Sequence, residues 1–200
     1  MTRDIKSQTL DELRKQFAAW DQPAYRAAQL LDWIYQRRVA SWDEMTNLPK
    51  ALREKLKTHY THSLLELVRK QGARDSTQKF LWKLHDGAFI ESVLIPANPA
   101  LYGEPSDRHT LCVSTQVGCA YGCKFCASGL EGWKRNLLPE EIVDQVLAVE
   151  RWHSQPDEAR RPAAPSSRLI NNLVIMGMGE PLANYDNLLQ AHDDQIVDQA

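Results

Sequence analysis

Residues 110–129, Thr110-Leu-Cys112-Val-Ser-Thr-Gln-Val-Gly-Cys119-Ala-Tyr-Gly-Cys123-Lys-Phe-Cys126-Ala-Ser-Gly129, decide the fold. Thr110 to Gln116 reads as a strand, 117–129 as a loop bearing three cysteines, and Pro139 starts a helix with Ile142, Val143, Val146 and Val149 along it. A Pro/Ala/Ser-rich loop over 154–168 and a short apolar strand, Leu173 to Met176, come next. That strand runs into Gly177-Met-Gly179-Glu180-Pro181. Strands alternating with helices imply a parallel α/β sheet or barrel, whose reactive groups sit on loops after the C-terminal strand ends. Both notable loops follow strands in this way.

Working upstream, Phe80, Trp82 and Leu84 alternate with polar residues, and Asp86-Gly87 marks a hairpin before Phe89 to Ile95. The stretch Ala97 to Asp107, with Pro99, Gly103 and Pro105, reads as a turn-rich linker. Earlier still the period is helical. Pro23 suits a first turn before Ala27, Leu30, Leu31 and Ile34; Ser41 and Glu44 form a capping box; Leu52, Leu56 and Tyr60 follow Pro49 on one face. The chain therefore divides into a helical unit over 1–62, a β-hairpin and linker unit over 63–107, and an α/β unit over 108–200.

Composition is that of a globular protein, with 43% hydrophobic and 25% charged residues in 200. No apolar run near Met1 is long enough for a signal segment or membrane span, which points to a cytoplasmic protein without a membrane partner. Charge is uneven: residues 1–83 carry 16 Lys/Arg against 10 Asp/Glu, and residues 84–200 carry 8 against 16. The basic half, at +6, reads as a nucleic-acid footprint or as a solvated surface. Arg26 and Arg37 could meet phosphates, and Lys134 and Arg135 could touch RNA or cofactor or lie on the surface.

The four cysteines lie together at 112, 119, 123 and 126, unlike a scattered disulfide framework. Cys119, Cys123 and Cys126 offer three soft ligands within eight residues, enough for one loop to wrap a metal centre. Three ligands on a four-iron cubane leave one iron open, where the amino and carboxylate groups of S-adenosylmethionine could bind. The alternative is zinc with Cys112 or His109 as fourth ligand, for which a spacing of three residues then two is a poor match.

The pattern C-x₃-C-x-aromatic-C is that of the radical-SAM superfamily. The longer run CVSTQVGCAYGCKFCASGLEGWKRNL (112–137) resembles the RlmN/Cfr family of RNA adenosine methyltransferases. Tyr25-Arg26, Ile34-Tyr35, Met45 to Lys50, Glu91 to Pro96 and GMGEPLANYDN from Gly177 also resemble segments of that family, on the RlmN side. The resemblance implies part of a radical-SAM (β/α) barrel preceded by a small all-helical accessory domain. It implies a [4Fe–4S] cluster on Cys119, Cys123 and Cys126, with the methionine part of S-adenosylmethionine held at Gly179 and Glu180. Read from residues alone, Gly177 to Pro181 is a tight strand-to-helix turn.

Two further positions take roles from the resemblance. Glu91, which a strand could aim at solvent or into a cleft, corresponds to the proton acceptor for the adenine carbon. Cys112, by itself a small core residue, corresponds to the cysteine that resolves a covalent RNA intermediate through a transient disulfide with a C-terminal cysteine. The implied activity is methylation of adenosine carbon 2 in 23S ribosomal RNA and transfer RNA by a monomer served by an external electron donor. The alternatives are a Cfr-like enzyme acting at carbon 8 and a zinc-stabilised, non-catalytic RNA-binding module. No cysteine follows Cys126, so the methyl carrier is absent and the chain reads as an incomplete fragment.

Overall fold

The computed structural model describes residues 2–73, 76–98, 106–154 and 168–193. The linker expected over 97–107 and the loop over 154–168 fall largely outside them. The described chain begins with a two-residue strand β1 (Arg3–Asp4) and one 3₁₀ turn. Helix α1 (Leu10–Ala19) follows, opened by a capping box in which Thr9 and Glu12 satisfy each other's backbone amides. It buries Leu13 and Phe17. α2 (Tyr25–Leu31) runs directly into a π-helical turn, Asp32–Gln36, and together they bury Ala27, Leu30, Leu31 and Ile34 as the periodicity predicts.

The Ser41–Glu44 box caps a single 3₁₀ turn, and α3 (Lys50–His59) starts after Pro49. β2 (Tyr60–Thr61) pairs parallel with β1, tying the two ends of this region together. The helical reading of 1–62 is therefore corrected: the helices close on a small parallel strand pair.

Among the described residues, five strands form one sheet in the order β3-β4-β5-β6-β9. β3 (Glu66–Gln71), β4 (Gln78–Lys83) and β5 (Phe89–Pro96) are antiparallel, and the β4–β5 connection turns at Gly87 with φ +83°. β6 (His109–Cys112) adds antiparallel to β5, and β9 (Asn172–Val174) adds parallel to β6. The sheet is therefore mixed, with β6–β9 as its one parallel pair among the described strands.

The single strand expected over 110–116 breaks after Cys112. The chain resumes as β7 (Gln116–Gly118), which forms a separate hairpin with β8 (Trp133–Asn136). α4 (Pro139–Ser154) packs on the sheet face that carries Phe80, Trp82, Ile90, Ser92 and Leu94, and α5 (Tyr185–Asp193) follows β9.

α4 also buries polar groups, each needing a partner. Asp144 meets Lys6 at 3.9 Å and Arg151 at 3.0 Å, and Lys6 also donates to the Ser63 carbonyl. Glu150 meets Arg38 at 3.6 Å with both side chains at most 5% exposed, and accepts from the amides of Leu169 and Ile170. These pairs dock the N-terminal helices onto α4. Arg38→Met leaves the Glu150 carboxylate buried without its cation, and is expected to lower unfolding free energy by about 3 kcal/mol in urea titration; a loss below about 1 kcal/mol contradicts this docking.

His62 packs beside Trp42, and neither ring nitrogen has a hydrogen-bond partner among the described residues. Burial, then the nearby Lys6, push its pKa down to about 4 against the opposing pull of Asp144 and Asp4. The unfolded chain, with an ordinary histidine near 6.5, binds this proton first, so stability is lost as pH falls from about 6.5 towards 4. Replacing His62 with Gln should flatten that part of the stability profile; an unchanged slope contradicts the assignment.

Candidate functional site

The loop between β7 and β8 is closed where the Cys119 amide donates to the Gly132 carbonyl at 3.4 Å. Gly118, at φ +75°, is required there: a Cβ would lie 1.9 Å from that carbonyl oxygen. Within the loop the Cys126 amide donates to the Cys123 carbonyl at 3.0 Å, and the Tyr121 amide points at Cys119 Sγ at 3.4 Å. The backbone and hydroxyl of Ser128 both bond the Cys126 thiol and lower its pKa. All four cysteines are free; Cys123 is exposed and Cys119 and Cys126 are half-buried. Phe125, between the last two, is 94% exposed.

No group of three or more His, Cys, Asp or Glu side chains among the described residues is close enough to cage a metal ion. The three loop thiols lie on one loop and do not form such a group. Neither candidate fourth zinc ligand joins them. Cys112 is buried at the end of β6, where burial raises its pKa, and His109 Nδ1 lies 2.8 Å from the Asp107 carbonyl. The donor set itself, three free thiols in eight residues on one loop, fits an iron–sulfur cluster by its chemistry.

Glu91 and Cys112 share a face of the sheet. Glu91 and Val93 point away from the α4 side of β5, and Cys112 stands opposite both Val93 on β5 and Val174 on β9. The Glu91 carboxylate is about one-third exposed and paired with Lys79 at 2.7 Å. The Glu91 carbonyl accepts from the Ser114 hydroxyl at 2.6 Å.

The Gly177–Pro181 loop leaves the C-terminal end of β9, beside the end of β6. It lies directly on the chain between β6 and β7. Gly177 N donates to Val113 O at 3.0 Å, and Met178 O accepts from the amides of Thr115 and Gln116 at 2.8 and 3.2 Å. Gly179, at φ +101°, touches Gln116 so closely that a Cβ would stand 2.6 Å from the Gln116 Cβ. The glycines are thus used for close backbone approach in a tight turn. Glu180 caps the following 3₁₀ turn, its Oε1 accepting from Leu182 N at 3.2 Å.

Sequence reasoning missed the buried polar groups behind these loops. Ser114 and Gln116 sit in the stretch assigned to one strand, and a Ser-Thr-Gln run in a buried strand is itself a signal that side chains must find partners. Gln145 on α4 accepts from Ser114 N and donates to Ser114 O, at 2.8 and 2.9 Å. Arg135 is an internal brace: it forms two bonds to Glu141, at 2.7 and 2.8 Å, and one to Asp86 at 2.7 Å. Arg26 is likewise engaged internally, with Gln29 and the Asn47 carbonyl, and Arg37 with Asp32.

Comparison with known proteins bears on these features. Residues 4–61 match the family model of the ribosomal RNA large subunit methyltransferase N-terminal domain, that of RlmN. The probable dual-specificity RNA methyltransferase RlmN of Akkermansia muciniphila is 46% identical over 187 residues, covering 94% of this chain and 48% of the relative. Over nearly all of its length the chain is similar to proteins named RlmN. The dual-specificity RNA methyltransferase RlmN of an Anaeromyxobacter species is also 46% identical, over 95% of this chain and 47% of the relative. The crystal structure of a radical SAM methyltransferase from Sphaerobacter thermophilus matches with a TM-score of 0.78 at 39% identity, over 96% of this chain and 51% of that one. The chain spans about half the length of the RlmN relatives it matches.

Gly179→Ala combines a positive φ with contact against the Gln116 side chain and backbone. It is expected to lower stability by about 2 kcal/mol in thermal melts of the chain. An unchanged melting temperature contradicts this packing.

Proposed function

We propose that this chain carries the RNA-gripping unit and the cofactor-binding face of an RlmN-type methyltransferase, acting on adenosine carbon 2 of 23S ribosomal RNA and transfer RNA. One observation carries the reading: the Gly177–Pro181 loop leaves the end of β9 and is hydrogen-bonded to the segment that joins β6 to the cysteine hairpin, and Glu91 and Cys112 share one face of that sheet. In α/β folds this end of the strands is where reacting groups collect. The RlmN-named relatives favour this reading over a Cfr-like one.

Cys119, Cys123 and Cys126 would hold a [4Fe–4S] cluster, and Gly179 and Glu180 the methionine part of S-adenosylmethionine. Together these groups supply one-electron chemistry able to break an unreactive C–H bond. Glu91 would accept the proton from the adenine carbon, which first requires its carboxylate to leave Lys79. Cys112 would resolve the covalent RNA intermediate by forming a disulfide with the cysteine that carries it as the RNA carbon leaves, a sulfur these 200 residues do not supply; its thiol, raised by burial, needs opening towards the site to become a thiolate. Residues 1–62 would form the accessory RNA-binding domain, 63–107 the β unit and 108–200 part of a (β/α) barrel. The +6 charge of residues 1–83 supports contact with RNA phosphates.

An external electron donor and a monomeric, cytoplasmic state complete the proposal. Among the described residues no helix is long and apolar enough to cross a membrane.

Anaerobic reconstitution tests the reading. The chain is expected to turn brown and bind about four irons and four sulfides, and Cys126→Ala to lose most of that iron. A colourless chain holding stoichiometric zinc and no iron contradicts it.

A further inference from the structure

Gln116 is 1% exposed, and both ends of its side-chain amide are engaged. Its Oε1 accepts from Ala120 N at 3.0 Å, inside the cysteine loop, and from Glu180 N at 2.9 Å, inside the Gly177–Pro181 loop. One oxygen atom therefore joins segments 60 residues apart, one directly after Cys119 and the other at the glutamate itself. The Nε2 group donates to Asn136 Oδ1 at 2.8 Å, and Asn136 Nδ2 donates to Ala183 O at 3.1 Å. Asn136 ends the hairpin that carries the cysteine loop, and Ala183 lies just beyond Glu180, so this second bridge spans the same two elements.

A buried amide is costly unless its hydrogen bonds are made, and an apolar side chain would fill the same volume without that cost. What the amide adds is register between the loops. Gly179 packs directly on Gln116, where a Cβ would stand 2.6 Å from the Gln116 Cβ.

We infer that Gln116 is a positioning residue, fixing the Glu180 loop against the cysteine loop so that one S-adenosylmethionine can engage both. The inference rests on the reading that these loops hold the cluster and the cofactor. It is separable from that reading, because the brace itself exists without either group.

The test has two arms on the full 200-residue chain. In the first, hydrogen exchange at the Ala120 and Glu180 amides is followed by NMR in the metal-free protein. Q116A should speed both by at least about tenfold, the loss of roughly one such bond each, while Q116E, which keeps an acceptor oxygen, should leave both protected. In the second, binding of S-adenosylmethionine is measured from the change it causes in the EPR spectrum of the reduced, reconstituted chain. Q116A should keep its iron and sulfide yet bind at least about tenfold more weakly, with Q116E closer to the parent.

If Q116A does not fold, Q116N, which draws the amide back by one methylene, is read in its place. Protection surviving at either amide overturns the brace. Protection lost at both with unchanged S-adenosylmethionine affinity overturns the positioning role. A parent chain that takes up no iron refutes the cluster reading instead, and the exchange arm still decides the brace.

Discussion

Residues Val113–Gln116 leave the regular sheet while remaining buried, and their backbone groups must still be paired. The rest of the site is arranged around meeting that demand. Val113 takes the carbonyl of Val174 and the amide of Gly177; Ser114 takes both ends of the Gln145 amide; Thr115 and Gln116 share the Met178 carbonyl. The Thr115 carbonyl accepts from Leu137 N and from the Asn184 side chain. Because the strand breaks here, the cysteine hairpin, the Gly177–Pro181 loop and helix α4 are held to one short segment. A continuous strand would have satisfied its backbone through its neighbours and left the loops independent.

The same helix that pairs Ser114 also receives the N-terminal region. Gln145, Asp144 and Glu150 lie within two turns of α4. The first faces the sheet interior through Ser92, and the other two meet Lys6 and Arg38. Buried ion pairs add little net stability over apolar packing, but they punish misplacement heavily, since either charge left alone in the interior is expensive. For a region proposed to grip RNA beside a reacting site, a fixed angle to the sheet is the useful property. Arg135, joined to Glu141 at the start of α4 and to Asp86 at the β4–β5 turn, extends the same frame to the outer side of the cysteine hairpin.

Much of this was legible in the amino-acid sequence where the signal is local. Periodicity located α2, α3, α4 and the β4–β5 hairpin, and the cysteine spacing located the loop. Local signals also existed for α1, where Thr9 and Glu12 announce a capping box ahead of Leu13 and Phe17, but the charged character of that segment concealed them. The break after Cys112 and the roles of Ser114, Gln116 and Gln145 were not legible. Each has a partner 31 to 64 residues away, and a polar residue in a β-like run does not say which distant amide it will meet. Glu91 and Cys112 were named by resemblance to a family; the strand register that sets them on one face came only with the sheet.

The central claim is that a buried polar frame at Val113–Gln116, and not the loops themselves, sets the geometry of the site. The most direct measurement is the unfolding free energy of Gln145→Leu, which keeps volume while removing the partners of the Ser114 backbone and the Ser92 hydroxyl. The account predicts a loss of about 3 kcal/mol by urea denaturation, from buried groups left unpaired. A change within about 0.5 kcal/mol of the parent, the range of an ordinary surface substitution, would contradict it.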